Sequence, residues 1–141
     1  MPDKKNKYAF SDPPVEHNRE LTGSLPKGFD ETMLPSPKDS FMLGLVARRG
    51  SGKSYCIYNL LSKFYKSCFD RVYIFNPSYG NDMTLSPESL GLPEESFFDH
   101  VDVDFIEQVV EEQKQQKRDY DGKKCKKKYL DRVLFVFDDC I

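Results

Sequence analysis

Residues 41–61, FMLGLVARRGSGKSYCIYNLL, constrain the fold of this chain more than any other stretch. Residues 41–46 are an apolar run without proline, the length of a buried strand. Ala47-Arg48-Arg49-Gly50-Ser51-Gly52-Lys53-Ser54 follows, and residues 55–66 read as a helix. A strand, a glycine-bearing loop ending in Gly-Lys-Ser and a helix form the context of a phosphate-binding P-loop. The residue types suit a triphosphate, which needs many donors at short range and no side chains in the way. Gly50 and Gly52 let the backbone reach positive φ and approach phosphate oxygens. The N–H groups of residues 47–55, Ala47 to Tyr55, then converge on the phosphates beside the positive end of a helix dipole. Lys53 supplies a point cation for the β- and γ-phosphates, and Ser54 a hydroxyl for Mg²⁺. Arg48 and Arg49 either add charge near the phosphates or contact a neighbouring subunit. The usual pattern opens with Gly where this chain has Ala47.

The second informative stretch is VLFVFDDC, residues 133–140. Five consecutive apolar residues predict a strand covered on both faces. Two acids at its end are costly unless they meet a cation or strong donors. Paired with the loop upstream, Asp138-Asp139 reads as the Walker B element. Asp138 would hold Mg²⁺, directly or through water, and Asp139 would orient or deprotonate the attacking water.

Between these stretches the chain reads as α/β. In residues 55–66, Ile57, Leu60, Leu61 and Phe64 fall at i, i+3, i+4 and i+7, one apolar helix face. Residues 72–75, Val-Tyr-Ile-Phe, predict a strand closed by Asn76-Pro77. Strand, helix and strand over about 35 residues make a βαβ unit, with parallel strands and a right-handed crossover. Residues 78–100 read as an irregular excursion. Asn76, Ser78 and Asp82, just past a strand's carboxyl end, are either a ligand- or partner-contacting group or a solvated turn. Asp104 is the expected cap of a helix from Phe105, with Phe105, Ile106, Val109 and Val110 facing inward. The lysine run 123–128, broken by Cys125, is either a solvated loop or a nucleic-acid patch.

Size and composition bound the rest. With 141 residues the chain is one modest domain. Residues 41–141 form the core, and residues 1–40, with six of the nine prolines, an extended or partly disordered arm. No apolar run approaches the ~20 residues that span a bilayer, and residues 1–10 lack the apolar region of a secretory signal. A net charge of -2 predicts no strong non-specific attraction to DNA. Cysteines 56, 68, 125 and 140 have no CxxC spacing, which argues against zinc and for reduced intracellular thiols.

The apolar strand into ARRGSGKS, then VYIFNPSYGND, a charged helix and VLFVFDDC together resemble the genome-packaging ATPases of large DNA viruses, P-loop motors of the FtsK–HerA class. The resemblance covers residues 40–141. It implies a P-loop NTPase fold, a parallel sheet with flanking helices. It also implies ATP hydrolysis with Mg²⁺ by a homo-oligomeric ring that moves double-stranded DNA into a shell of capsid proteins, at a host-cell assembly site or in the virion. Carried over, Lys53 and Ser54 take the loop roles, Asp138 the Mg²⁺ role and Asp139 the catalytic-carboxylate role. Asp139 departs from the more usual Glu. In this class a further strand, later in sequence, lies between the Asp-Asp strand and the loop strand. The sheet is therefore expected to be incomplete at its C-terminal side and the chain an N-terminal fragment. Two other readings use the same loop: a nucleotide-binding interaction module with little hydrolysis, and a small nucleotide or metabolite kinase.

Overall fold

The computed structural model describes residues 34–122 and 130–140. The lysine run and residues 1–33 of the arm lie outside them. Three parallel strands form one sheet in the order β2-β1-β3, where β1 is Arg71–Phe75, β2 is Phe97–Phe98 and β3 is Val133–Phe137. Among the described residues three α-helices accompany it: α1 (Lys53–Asn59), α2 (Pro87–Leu90) and α3 (Val103–Asp121). The chain is thus α/β with a parallel sheet, as its pattern predicts. Among the described residues no helix is long and apolar enough to cross a membrane.

The strands are aromatic, and register turns that composition into a ladder. Phe75 sits opposite Phe98 on one side and Phe137 on the other. Its ring stacks on both, at centroid distances of 5.0 Å each. Tyr73, two residues back and so on the same face, stacks on Phe135 at 5.8 Å. Phe105 of α3 closes this face, edge-on to Tyr73 at 4.9 Å and tilted against Phe98 at 4.7 Å. Ile74, Phe75 and Leu85 are fully buried, and Val109 nearly so.

Several local expectations are revised. The expected strand 41–46 is not a strand. Met42 and Val46 are fully exposed, and Leu43 and Leu45 are exposed as well. A strand needs a partner ladder for its backbone groups, and no described strand pairs with this stretch. Only Phe41 packs, stacked on Tyr65 at 5.7 Å. The βαβ unit expected from residues 41–75 therefore has no first strand, and β1 pairs with β2 and β3 instead. β3 in turn is not covered on both faces. Val133 to Val136 are only part-buried and Phe137 is half-exposed, and β3 has β1 on one edge and no described strand on the other.

The helix expected over 55–66 begins two residues earlier, at Lys53, and changes at Leu60 into a π-turn, Leu60–Phe64. Tyr65 N–H donates to Leu60 O at 2.7 Å, five residues back. The extra residue in that turn breaks the 3.6 period. Ile57 stays buried while Phe64 rotates out to half-exposure. The cap of α3 is Asp102, not Asp104: its carboxylate accepts from Phe105 N–H at 2.9 Å. Val109 is buried, but Val110 is exposed.

The excursion at 78–100 is ordered. Ser86 and Ser89 form a capping box that starts α2, and Gly91 ends it at φ +64°. A 3₁₀ turn, Glu94–Ser96, then leads into β2. Of the arm's last residues, Pro37 is buried, and Tyr65 Oη donates to Pro35 O at 2.9 Å.

Phe75→Ala should cost about 3–5 kcal/mol of unfolding free energy, because it removes the central rung of the ladder. Phe137→Ala should cost about half of that or less, since its ring is half in water already. Denaturant titration of both variants checks this, and equal losses would contradict the ladder.

Candidate functional site

The loop 47–52 turns at the C-terminal end of β3 and delivers its last residues into the first turn of α1. Ser51 N–H donates to Arg48 O at 3.2 Å, closing a turn. Gly50 and Gly52 take φ values of +77° and +86°, with open space where a Cβ would stand. Gly52 is the N-cap of α1, which leaves Lys53 and Ser54 as its first two helical residues. Ala47, Arg48, Arg49, Gly50, Ser51 and Gly52 are all exposed. Tyr55 is exposed too, and its ring stacks on Tyr58 at 6.0 Å, along the helix surface.

Lys53 and Ser54 meet the two acids from across the sequence. Ser54 Oγ donates to Asp138 Oδ2 at 2.9 Å. Lys53 Nζ lies 2.5 Å from Asp139 Oδ1 and 3.6 Å from Asp138 Oδ1. The two carboxylates are unlike. Asp138 is buried and Asp139 is exposed. The charge-assisted hydrogen bond that Lys53 donates to Asp139 is the main cause that holds its ammonium above its ordinary pKa. The ammonium is charged at neutral pH in any case, and its side of the ion pair is lost as pH rises through the raised value.

The main chain holds Asp138 in place. Its N–H donates to Phe75 O at 2.9 Å, continuing the β1–β3 ladder one residue past the strand. Cys140 Sγ donates to the same carbonyl at 3.0 Å. Asp139 between them adopts φ +52°, in the left-handed region. That kink sends two successive carboxylates to different depths, one buried and one in solvent. Cys140 thus shares the carbonyl that holds Asp138, a role that its lack of CxxC spacing did not suggest. Its signal was adjacency to the acids.

Asp138 Oδ1 is buried and has no hydrogen-bond partner. A buried carboxylate oxygen left with only a distant ammonium is short of one strong partner. A hydroxyl and one carboxylate suit Mg²⁺, a hard cation that keeps several waters and takes further oxygens from phosphates. Among the described residues no group of three or more His, Cys, Asp or Glu side chains could hold a metal. A cation here would therefore depend on oxygens from its ligand.

Asn76, Ser78 and Asp82 make a closed group. Asn76 is buried; its Oδ1 accepts from Ser78 N–H at 2.9 Å and its Nδ2 donates to Asp82 Oδ2 at 3.3 Å. This arrangement shapes the exit from β1.

Comparison with protein-family models, curated proteins and solved structures returned no match to this chain.

The thiols provide a test of this placement. Burial pushes the pKa of both Cys68 and Cys140 up, while Cys56 stands exposed on α1. A raised pKa means less thiolate at a given pH. Iodoacetamide near pH 8 should alkylate Cys56 well before Cys68 and Cys140, with the difference abolished in denaturant. Peptide mass mapping reads the order, and faster labelling of Cys68 than of Cys56 in the folded chain would contradict the structure.

Proposed function

We propose that this site binds ATP with Mg²⁺ and hydrolyses it. The observation that carries the reading is the convergence of Lys53 and Ser54 with Asp138 and Asp139, from segments 84 and 86 residues apart. Nothing in the folding of a small sheet requires a lysine, a serine and two acids at one strand end. A metal-bound triphosphate requires them all. The P-loop NTPase fold, finer than the observed α/β sheet, belongs to the same proposal.

Each residue has a distinct task. The loop at Gly50 and Gly52 offers backbone N–H groups with no side chain in the way. Lys53 neutralises β- and γ-phosphate oxygens as charge shifts toward the leaving group. Ser54 and Asp138 would hold Mg²⁺, which supplies Lewis-acid charge to the phosphate oxygens. Asp139, exposed and adjacent, orients the attacking water and accepts its proton. Arg48 and Arg49 lie on the exposed loop, open to phosphate or to a neighbouring subunit.

We extend the proposal, on the sequence resemblance alone, to a motor that moves double-stranded DNA into a capsid as a homo-oligomeric ring. Hydrolysis and transport are separable: a binding module would take up ATP without turnover, and a kinase would transfer phosphate to an acceptor other than water.

Phosphate release from ATP should require Mg²⁺ and should fall by about 100-fold or more in Lys53→Ala and in Asp138→Asn. Duplex DNA should raise the rate. GTP measured alongside reports base preference. Protein whose phosphate release equals that of Lys53→Ala is no ATPase, and the absence of calorimetric heat with Mg²⁺ and ATP would remove the binding reading too.

A further inference from the structure

Asp139 does more at this site than wait for a water. Its backbone holds φ +52°, a region that side chains seldom adopt and that Asp and Asn visit most readily. In that conformation its carboxylate takes the Lys53 ammonium at 2.5 Å, the closer of the ammonium's two acid contacts. Asp138 meanwhile is occupied by the Ser54 hydroxyl. The ammonium that a triphosphate needs and the carboxylate that a water needs are thus bonded to each other.

We propose that the Lys53–Asp139 ion pair is a substrate-released latch, an inference that rests on reading this site as a nucleotide site. The pair keeps the site's cation and its base mutually neutralised. Triphosphate oxygens compete with Asp139 for Lys53, and success frees both groups in one exchange. The base is therefore armed only when the phosphates it acts beside are in place. Asp139 is largely exposed, so the latch is shallow, as ion pairs in water are, and substrate opens it at a small cost in affinity.

The latch predicts tighter binding on losing this acid's charge, which a catalytic role alone does not predict. Asp139→Asn keeps the side chain's shape and its tolerance of positive φ. It should bind Mg²⁺ with the β,γ-imido analogue of ATP about three- to tenfold more tightly than the unmodified chain, while turnover of ATP falls. Asp139→Gly, which also removes the backbone restriction, should show the same gain. In a Lys53→Met background, titrated to millimolar analogue, adding Asp139→Asn should bring no such gain. Equal or weaker binding by Asp139→Asn would overturn the latch. So would the same gain in the Lys53→Met background, which would show that the carboxylate merely repels phosphate. Binding by the unmodified chain without a gain in Asp139→Asn defeats the latch alone. No binding by either protein defeats the nucleotide reading and the latch together.

Discussion

The structure turns on a carboxylate that has been taken out of water. Asp138 is buried at the end of β3, fixed there by its own N–H on Phe75 O. An ionised carboxylate in that position is tolerated only with strong donors. The described chain supplies one hydroxyl at 2.9 Å and one ammonium at 3.6 Å. Those two come from adjacent residues, Ser54 and Lys53, so the acid fixes where the loop and the start of α1 lie. Remove the requirement and little else holds that corner of the molecule: residues 42–46 before the loop are exposed and unpaired.

The other end of the constraint is the aromatic sheet. Phe75 is the residue through which packing and chemistry meet. Its ring is the middle rung of the ladder, and its carbonyl receives both Asp138 N–H and Cys140 Sγ. A shift of β1 against β3 by one residue would turn Phe75 to the opposite face and would carry Asp138 off its bond. The site therefore inherits its geometry from stacking at 5.0 Å on either side, rather than from the loop.

What the sequence disclosed, and what it hid, follows from the range of each interaction. The strands at 71–75 and 133–137 were legible because a run of aromatic and β-branched residues has few alternatives. The meeting of Lys53 and Ser54 with Asp138 and Asp139 was legible because the pattern that suggested it is a particular local order of side chains, whatever lies between. Residues 41–46 misled for the converse reason. Their composition is that of a strand, but a strand exists only with a partner, and partners are not written locally. The π-turn was hidden because periodicity assumes one pitch, and Phe64 lost its place on the apolar face to one extra residue. Asp102 and Asp104 both suit a helix start, one as cap and one as a first-turn acid, and spacing alone does not rank them. β2 is two residues long, too short for a pattern, and owes its strand geometry to pairing with Ile74 and Phe75.

An unpaired stretch before the loop has an energetic consequence for any ligand of the site. A P-loop hung between two strands of a sheet is ordered before its ligand arrives. Here the loop is anchored on the helix side by α1 and on the other side by five exposed residues. Its distance from Asp138 is set chiefly by the polar contacts of Ser54 and Lys53. Part of the ordering that a strand would have supplied therefore falls to the ligand. Ligand that binds only the ordered loop stabilises it in proportion to RT ln(1 + [L]/Kd), and affinity is lowered by the fraction of molecules not yet ordered. Whatever orders residues 42–46 should therefore tighten the hold on any ligand that takes only the ordered loop.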